Sequence, residues 1–330
     1  MANTGRDRQA EMTTTERLVT ERPERRTTAP RGRGASGARR SLAPGRNATM
    51  AGLLAPSIIL LVAINAYPLV FAIGQSLHDG GITGAGDFVG LENYATALQD
   101  PAFWNAAWFT LIFTVASVGI SWVIGMTFAL VLRSDFPGRS MFRVLLLLPW
   151  VVPVVVATTS WNFLLATPSS PIPTLFRTLG FGDVQFLADP TWAMVTVIVF
   201  KIWGSFPFMM LMMNAALQSV DHSVEEAALI DGATWWQKLR HVILPIIARP
   251  IYISWVLAAI FTVNDFPTIY LLTGGGPVGA TNTLVVFAYR LVFQDFRTGY
   301  GVAVAFLITI VIVAVSVFFF RRINRAAMAN

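Results

Sequence analysis

The chain has 330 residues, of which 55% are hydrophobic and 13% charged, about half the charged share of an ordinary soluble domain. That excess of apolar surface is what lipid-facing helices require, and it excludes a conventional soluble enzyme. With no cysteine, disulfides and thiolate metal sites are excluded as well, and the basic balance of +6 is too localised to indicate a nucleic-acid partner.

Residues 1–49 hold 11 of the 24 Lys and Arg against 5 acidic residues, which accounts for the whole net charge. This stretch is poor in apolar residues and has no helical periodicity. Its composition predicts a disordered basic tail: a solvated cytoplasmic arm that helps fix topology, or an arm for phosphate-bearing partners. The apolar run that follows, Ala51 to Leu77, is too long for a signal peptide and lacks a clear cleavage site.

Six stretches then reach the roughly 20 apolar residues a spanning helix needs: 51–77, 104–132, 144–166, 191–217, 250–273 and 301–320. The expected fold is all-α, with one six-helix membrane domain over residues 50–330. Pro68, Pro153, Pro207 and Pro267 fall inside these spans, so several of these helices are expected to be kinked or broken. Six spans place both ends on one side. Twenty Lys and Arg fall in the tail, the 133–143 loop, the 218–249 loop and the C-terminus, against Arg177, Arg290 and Arg297 opposite. The positive-inside rule therefore puts both termini in the cytoplasm. Trp104, Trp108, Trp192 and Tyr300 sit where an outer aromatic belt belongs.

Between the fourth and fifth spans, residues 223–250 read SVEEAALIDGATWWQKLRHVILPIIARP. Ser223 with Glu226, and Thr234 with Gln237, have capping-box spacing. Asp231-Gly232 is a turn dipeptide between them, and Pro245 limits the second helix. A helix–turn–helix at the membrane surface follows, with Ala227 and Ala228 small enough for close approach of another protein.

Glu226-Ala227-Ala228, Gly232 and then Val242-Ile243-Leu244-Pro245 resemble the EAA…G…I-x-LP signature of ABC importer permeases, with Val242 where isoleucine is favoured. Ala55-Pro56-Ser57, Tyr67-Pro68, Phe88 to Tyr94 and Leu272 to Pro277, with its Gly-Gly-Gly-Pro segment, look like the carbohydrate-uptake, maltose-transporter-like branch. The resemblance covers about residues 50–330. It implies a type I permease of a prokaryotic cytoplasmic membrane that passes a sugar or oligosaccharide. Its implied partners are a second, homologous permease, two ABC ATPase subunits, an external solute-binding protein and the lipid bilayer. It also implies that Glu226, Ala227, Ala228, Asp231, Gly232, Leu244 and Pro245 form the ATPase-coupling segment. Glu226 also suits a cap, and Asp231 suits a plain turn residue.

No nucleotide site is expected in this chain. Its lysines, Lys201 before Ile202 and Lys238 before Leu239, do not fit a P-loop, and no HExxH is present. ATP and Mg would be used by the partner ATPase, with no cofactor, metal or catalytic residue here. An ion-coupled secondary carrier is the alternative, with Lys201 as its coupling residue; a membrane scaffold is another. Lys201 lies about 14 Å from Trp192 along a helix, too deep to snorkel easily, and reads as a path residue or as half of an ion pair. Trp161, Asn162, Trp203, Asn264 and Asp265 have sugar-binding chemistry, but each also suits packing.

Overall fold

A computed structural model describes residues 44–81, 84 and 86–328. Residues 1–43, which carry most of the basic-tail reading, lie outside the described residues. The last part of that stretch does not follow the reading, because helix α1 starts at Pro44 (α1, Pro44–Ser76). The chain divides into two units at Leu61. Among described residues the first unit holds the N-terminal part of α1. The second holds everything from Val62 onward, and its residues 62–71 are all exposed and largely apolar.

In the second unit the described residues are helical, apart from loops and one isolated bridge, His78 to Phe88. After α2 (Glu92–Gln99), two long helices form the centre, α3 (Pro101–Val131) and α7 (Pro190–Leu217). Both begin with the same local chemistry. Asp100 accepts the amide of Ala102 at 2.8 Å ahead of Pro101, and Asp189 accepts those of Thr191 and Trp192 at 3.0 and 2.9 Å ahead of Pro190. A carboxylate cap followed by proline at the first helical position satisfies the free amides and fixes the start.

Along α3 the buried positions Phe109, Phe113, Ser117, Ser121 and Gly125 recur every four residues and face α7. At Gly125 the two backbones nearly touch. A Cβ there would lie 2.6 Å from the Met210 amide nitrogen and 2.7 Å from Met209 Cβ. Small residues at helix interfaces permit this approach where lipid supplies no hydrophobic drive.

The third span is two helices, α4 (Arg139–Val151) and α5 (Val154–Leu165), set 90° apart. Proline pushes its predecessor out of the helical region, and Val152 and Pro153 are both extended, with ψ of 127° and 133°. The fifth span, α11 (Ala248–Val263) and α12 (Phe266–Leu272), breaks at Asn264-Asp265, just ahead of Pro267. Pro68 and Pro207 instead lie inside the unbroken helices α1 and α7. Among the described residues four helices are long and apolar enough to cross a membrane, and six when two bent pairs, Arg139–Val151 with Val154–Leu165 and Trp235–Ile246 with Ala248–Val263, each count as one span.

The loops carry helices that periodicity did not reveal: α6 (Pro171–Thr178) and α13 (Leu284–Phe293), ahead of α14 (Thr298–Met328). Trp104, Trp108 and Trp192 are exposed, as belt residues should be. Tyr300 is not: it is 3% exposed, and its hydroxyl donates to Asp100 at 2.7 Å. That bond ties α14 to the start of α3.

Candidate functional site

Two regions carry the residues singled out by chemistry. The first follows α7. Helix α8 (His222–Ile230) is capped by Asp221, whose carboxylate accepts the Ser223 amide at 3.0 Å. The expected Ser223–Glu226 capping box is therefore replaced by a cap two residues earlier, because Ser223 is already helical. The Ser223 amide holds the Asp221 carboxyl below its ordinary value of 3.8.

Helix α8 ends in a Schellman turn. The Ala233 amide donates to the Ala228 carbonyl and the Gly232 amide to that of Leu229, both at 3.0 Å, with Gly232 at φ +75°. Only glycine takes this left-handed position at little cost. A capping box at Thr234 and Gln237 then opens α9 (Trp235–Lys238). A π-helical turn (Leu239–Ile243) and α10 (Leu244–Ile246) follow, and the chain bends by 72° into α11.

Leu239, Ile243 and Ile247 are buried against Met126 and Ala129 of α3 and Met213, Ala216 and Leu217 of α7, with Leu244 packed alongside. The segment is therefore fixed to the ends of both central helices. Its far side bears apolar residues in the open: Ile230 is 86% exposed, Trp235 60% and Trp236 59%. Ala228 is buried. Glu226 is exposed, 3.4 Å from His222. The buried carboxylate is its neighbour Glu225, which receives Arg133 on one oxygen and Lys238, at 3.2 Å, on the other. Sequence reading passed over Glu225. The signal was available, since a helix that turns Ala228 inward turns the residue three positions earlier inward too.

The second region is a cavity of about 570 Å³ bounded by α4, α5, α7, α11 and α12. It opens where the third and fifth spans are broken, lined in part by Val152 and Asp265. Irregular backbone at membrane depth is tolerated where it borders such a space. Its lining includes Trp150, Phe200, Trp203, Ser205, Phe208, Thr262 and Thr268.

Across the cavity Lys201 donates to Asp265 at 2.7 Å, the two side chains being 15% and 9% exposed. The other Asp265 oxygen accepts the Thr268 amide and caps α12. Lys201, Trp203 and Asp265 are thus brought together. Trp161 stands behind them, packed on Phe200 and Trp203 with ring centroids 5.1 and 5.9 Å away. Asn162 and Asn264 are not in the lining. Asn162 donates to the Leu271 carbonyl and ties α5 to α12, while the Asn264 amide returns to the Ile260 carbonyl of its own helix. Among the described residues no cluster of metal-ligating side chains occurs.

Residues 121–328 match the family described as binding-protein-dependent transport system inner membrane component. The chain belongs to that family. It is a multi-pass inner-membrane permease, a transport component and not an enzyme. The probable ABC transporter permease protein y4oQ of Sinorhizobium fredii is 35% identical over 92% of this chain and 98% of its own length. The trehalose transport system permease protein SugA of Mycobacterium tuberculosis is 31% identical over 83% of this chain and 88% of its own. The permease shares the type I importer fold with a chain of a bacterial ABC transporter that imports the acidic polysaccharide alginate. That likeness has a TM-score of 0.73 at 22% identity, over 85% of this chain and 96% of the other. Nothing in these likenesses supports the ion-coupled carrier.

Proposed function

We propose that this permease forms half of the translocation path of an ATP-driven importer for a sugar or oligosaccharide, and that residues 218–249 couple it to a separate ATPase. The observation that carries this reading is the coupling segment. It is a double-capped, glycine-turned knob whose inner face is buried on α3 and α7 and whose outer face leaves Ile230, Trp235 and Trp236 exposed. Large apolar residues held rigid and uncovered are what a docking surface needs. Glu226 adds a charge to that face, Asp231 and Gly232 set its turn, Leu244 packs at its root, and Pro245 beside it is exposed.

In this reading each ATPase subunit binds ATP and Mg and closes on its partner, which moves the coupling segment. The root of the segment moves α3, α7 and α11, and the last two of these border the Lys201–Asp265 cavity. Aromatic faces beside a few fixed polar groups suit a polyhydroxylated ligand, and SugA is named for trehalose. Lys201, Trp203 and Asp265 then meet substrate, with Trp161 as backing. A second permease completes the path and an external binding protein delivers the sugar. The basic loops and both termini face the cytoplasm.

The test is reconstitution in proteoliposomes with partner permease, ATPase pair and binding protein. A sugar-loaded binding protein should stimulate ATP hydrolysis, and Ile230→Asp should release the ATPase while the permease still inserts. Retention of the ATPase by that variant would defeat the coupling assignment.

A further inference from the structure

Glu225 and Ala228 are the buried residues of α8. The following turns are rooted in the apolar cluster by Leu239, Ile243 and Ile247, but α8 contributes no large apolar side chain to it. Its side-chain tie to the central helices is the Glu225 carboxylate, which is 8% exposed. One oxygen takes Arg133, the residue that follows the buried C-cap Leu132 of α3, and the other takes Lys238 at the end of α9. Three segments meet on one carboxylate: the end of α3, the exposed helix α8 and the root of the knob.

We infer that Glu225 is a positioning residue, a strut that carries force from α8 to α3 and so converts ATPase closure into movement of the path. The inference rests on residues 218–249 being the coupling segment. A displacement of α8 reaches α3 through a short, doubly held ionic joint, so it is not absorbed by the joint between α8 and α9. Glu225 faces inward, away from any docked subunit, whereas Glu226 and Ile230 face outward. The two classes of residue therefore fail differently. Outward changes lose the ATPase. Loss of the strut keeps it bound but lets hydrolysis run without transport.

The experiment uses the complete importer in proteoliposomes and reads ATPase co-purification together with sugar uptake per ATP hydrolysed. Glu225→Gln should keep the ATPase bound and lower uptake per ATP about fivefold or more, the lower end of measured couplings between sites. The chain has no cysteine, which allows a reversible replacement of the joint. With the other subunits made cysteine-free, an Arg133→Cys/Glu225→Cys permease should be poorly coupled. A reducible bis-methanethiosulfonate bridge should restore uptake per ATP, and reductant should abolish it again. Wild-type uptake per ATP in Glu225→Gln, loss of the ATPase from that variant, or no recovery on bridging would each overturn the strut. Failure of the underlying reading looks different: Ile230→Asp would keep its ATPase.

Discussion

Removing the cation of the Lys201–Asp265 pair by Lys201→Met keeps the side-chain length and strands Asp265 at 9% exposure in a largely apolar cavity. At 2.7 Å and an effective dielectric of about 20, the gross attraction is about 6 kcal/mol. Desolvation of both groups offsets much of this, and removing one partner of a buried pair costs about 3–5 kcal/mol. Because Lys201 keeps some access to the cavity, the lower value of about 3 kcal/mol applies, a fall in thermal midpoint on the order of 10 °C. Asp265→Asn keeps an Ncap oxygen for the Thr268 amide, so it isolates the charge from the cap. The double variant removes both charges and should recover most of the lost stability, with a coupling of at least about 1 kcal/mol. Sugar-stimulated ATPase should stay low in the double variant, because the groups facing the path are gone. Additive losses across the cycle would refute the pair as a stabilising unit, and wild-type transport in Lys201→Met would remove it from the path.

Gly125→Ala puts a Cβ 2.6 Å from the Met210 nitrogen, and its cost of overpacking, about 1–3 kcal/mol, should appear as a lower thermal midpoint of the purified importer. Gly232→Val places a β-branched residue at φ +75° in open space. The strain of about 1–3 kcal/mol should weaken ATPase co-purification without affecting insertion of the spans. The double variant Gly232→Val/Glu226→Ala should abolish uptake, and coupled transport in it would refute the segment's role. Asp221→Ala should lower the thermal midpoint at neutral pH. Since hydrogen bonding to Ser223 depresses the Asp221 pKa, the difference from wild type is full above the ordinary value of 3.8 and disappears as pH falls through the depressed one.

What the sequence revealed is what local chemistry decides. Hydropathy located all the long helices, Pro153 and Pro267 marked the breaks, and Thr234, Gln237 and Gly232 announced their cap and turn. Pro68 and Pro207 lie in continuous helices, because a proline costs a helix one amide bond without obliging it to break. Within a membrane, neighbouring groups make good the loss. The choice of Asp221 over Ser223 as cap turned on which residue lies outside the helix, and capping-box spacing alone does not tell. Gly125 meets Met209 and Met210 from more than 80 residues away, and Lys201 meets Asp265 across 64. Composition flagged both members of the ion pair without pairing them, since nothing in either span names its partner. Tyr300 read as a belt residue because its acceptor, Asp100, is 200 residues distant.

The Gly125 crossing has a mechanical consequence. At that point the two helices touch with no side chain between them to shear, and farther along the same face Phe109 and Phe113 of α3 pack with Val197 and Phe200 of α7. Sliding one past the other would drive main chain into main chain, so the pair turns as a single lever. Freedom is left to the two elbows, Val152-Pro153 and Asn264-Asp265, and both border the cavity. A push on the lever from the coupling end is therefore taken up at the cavity walls, where a change of elbow angle alters how wide the passage is.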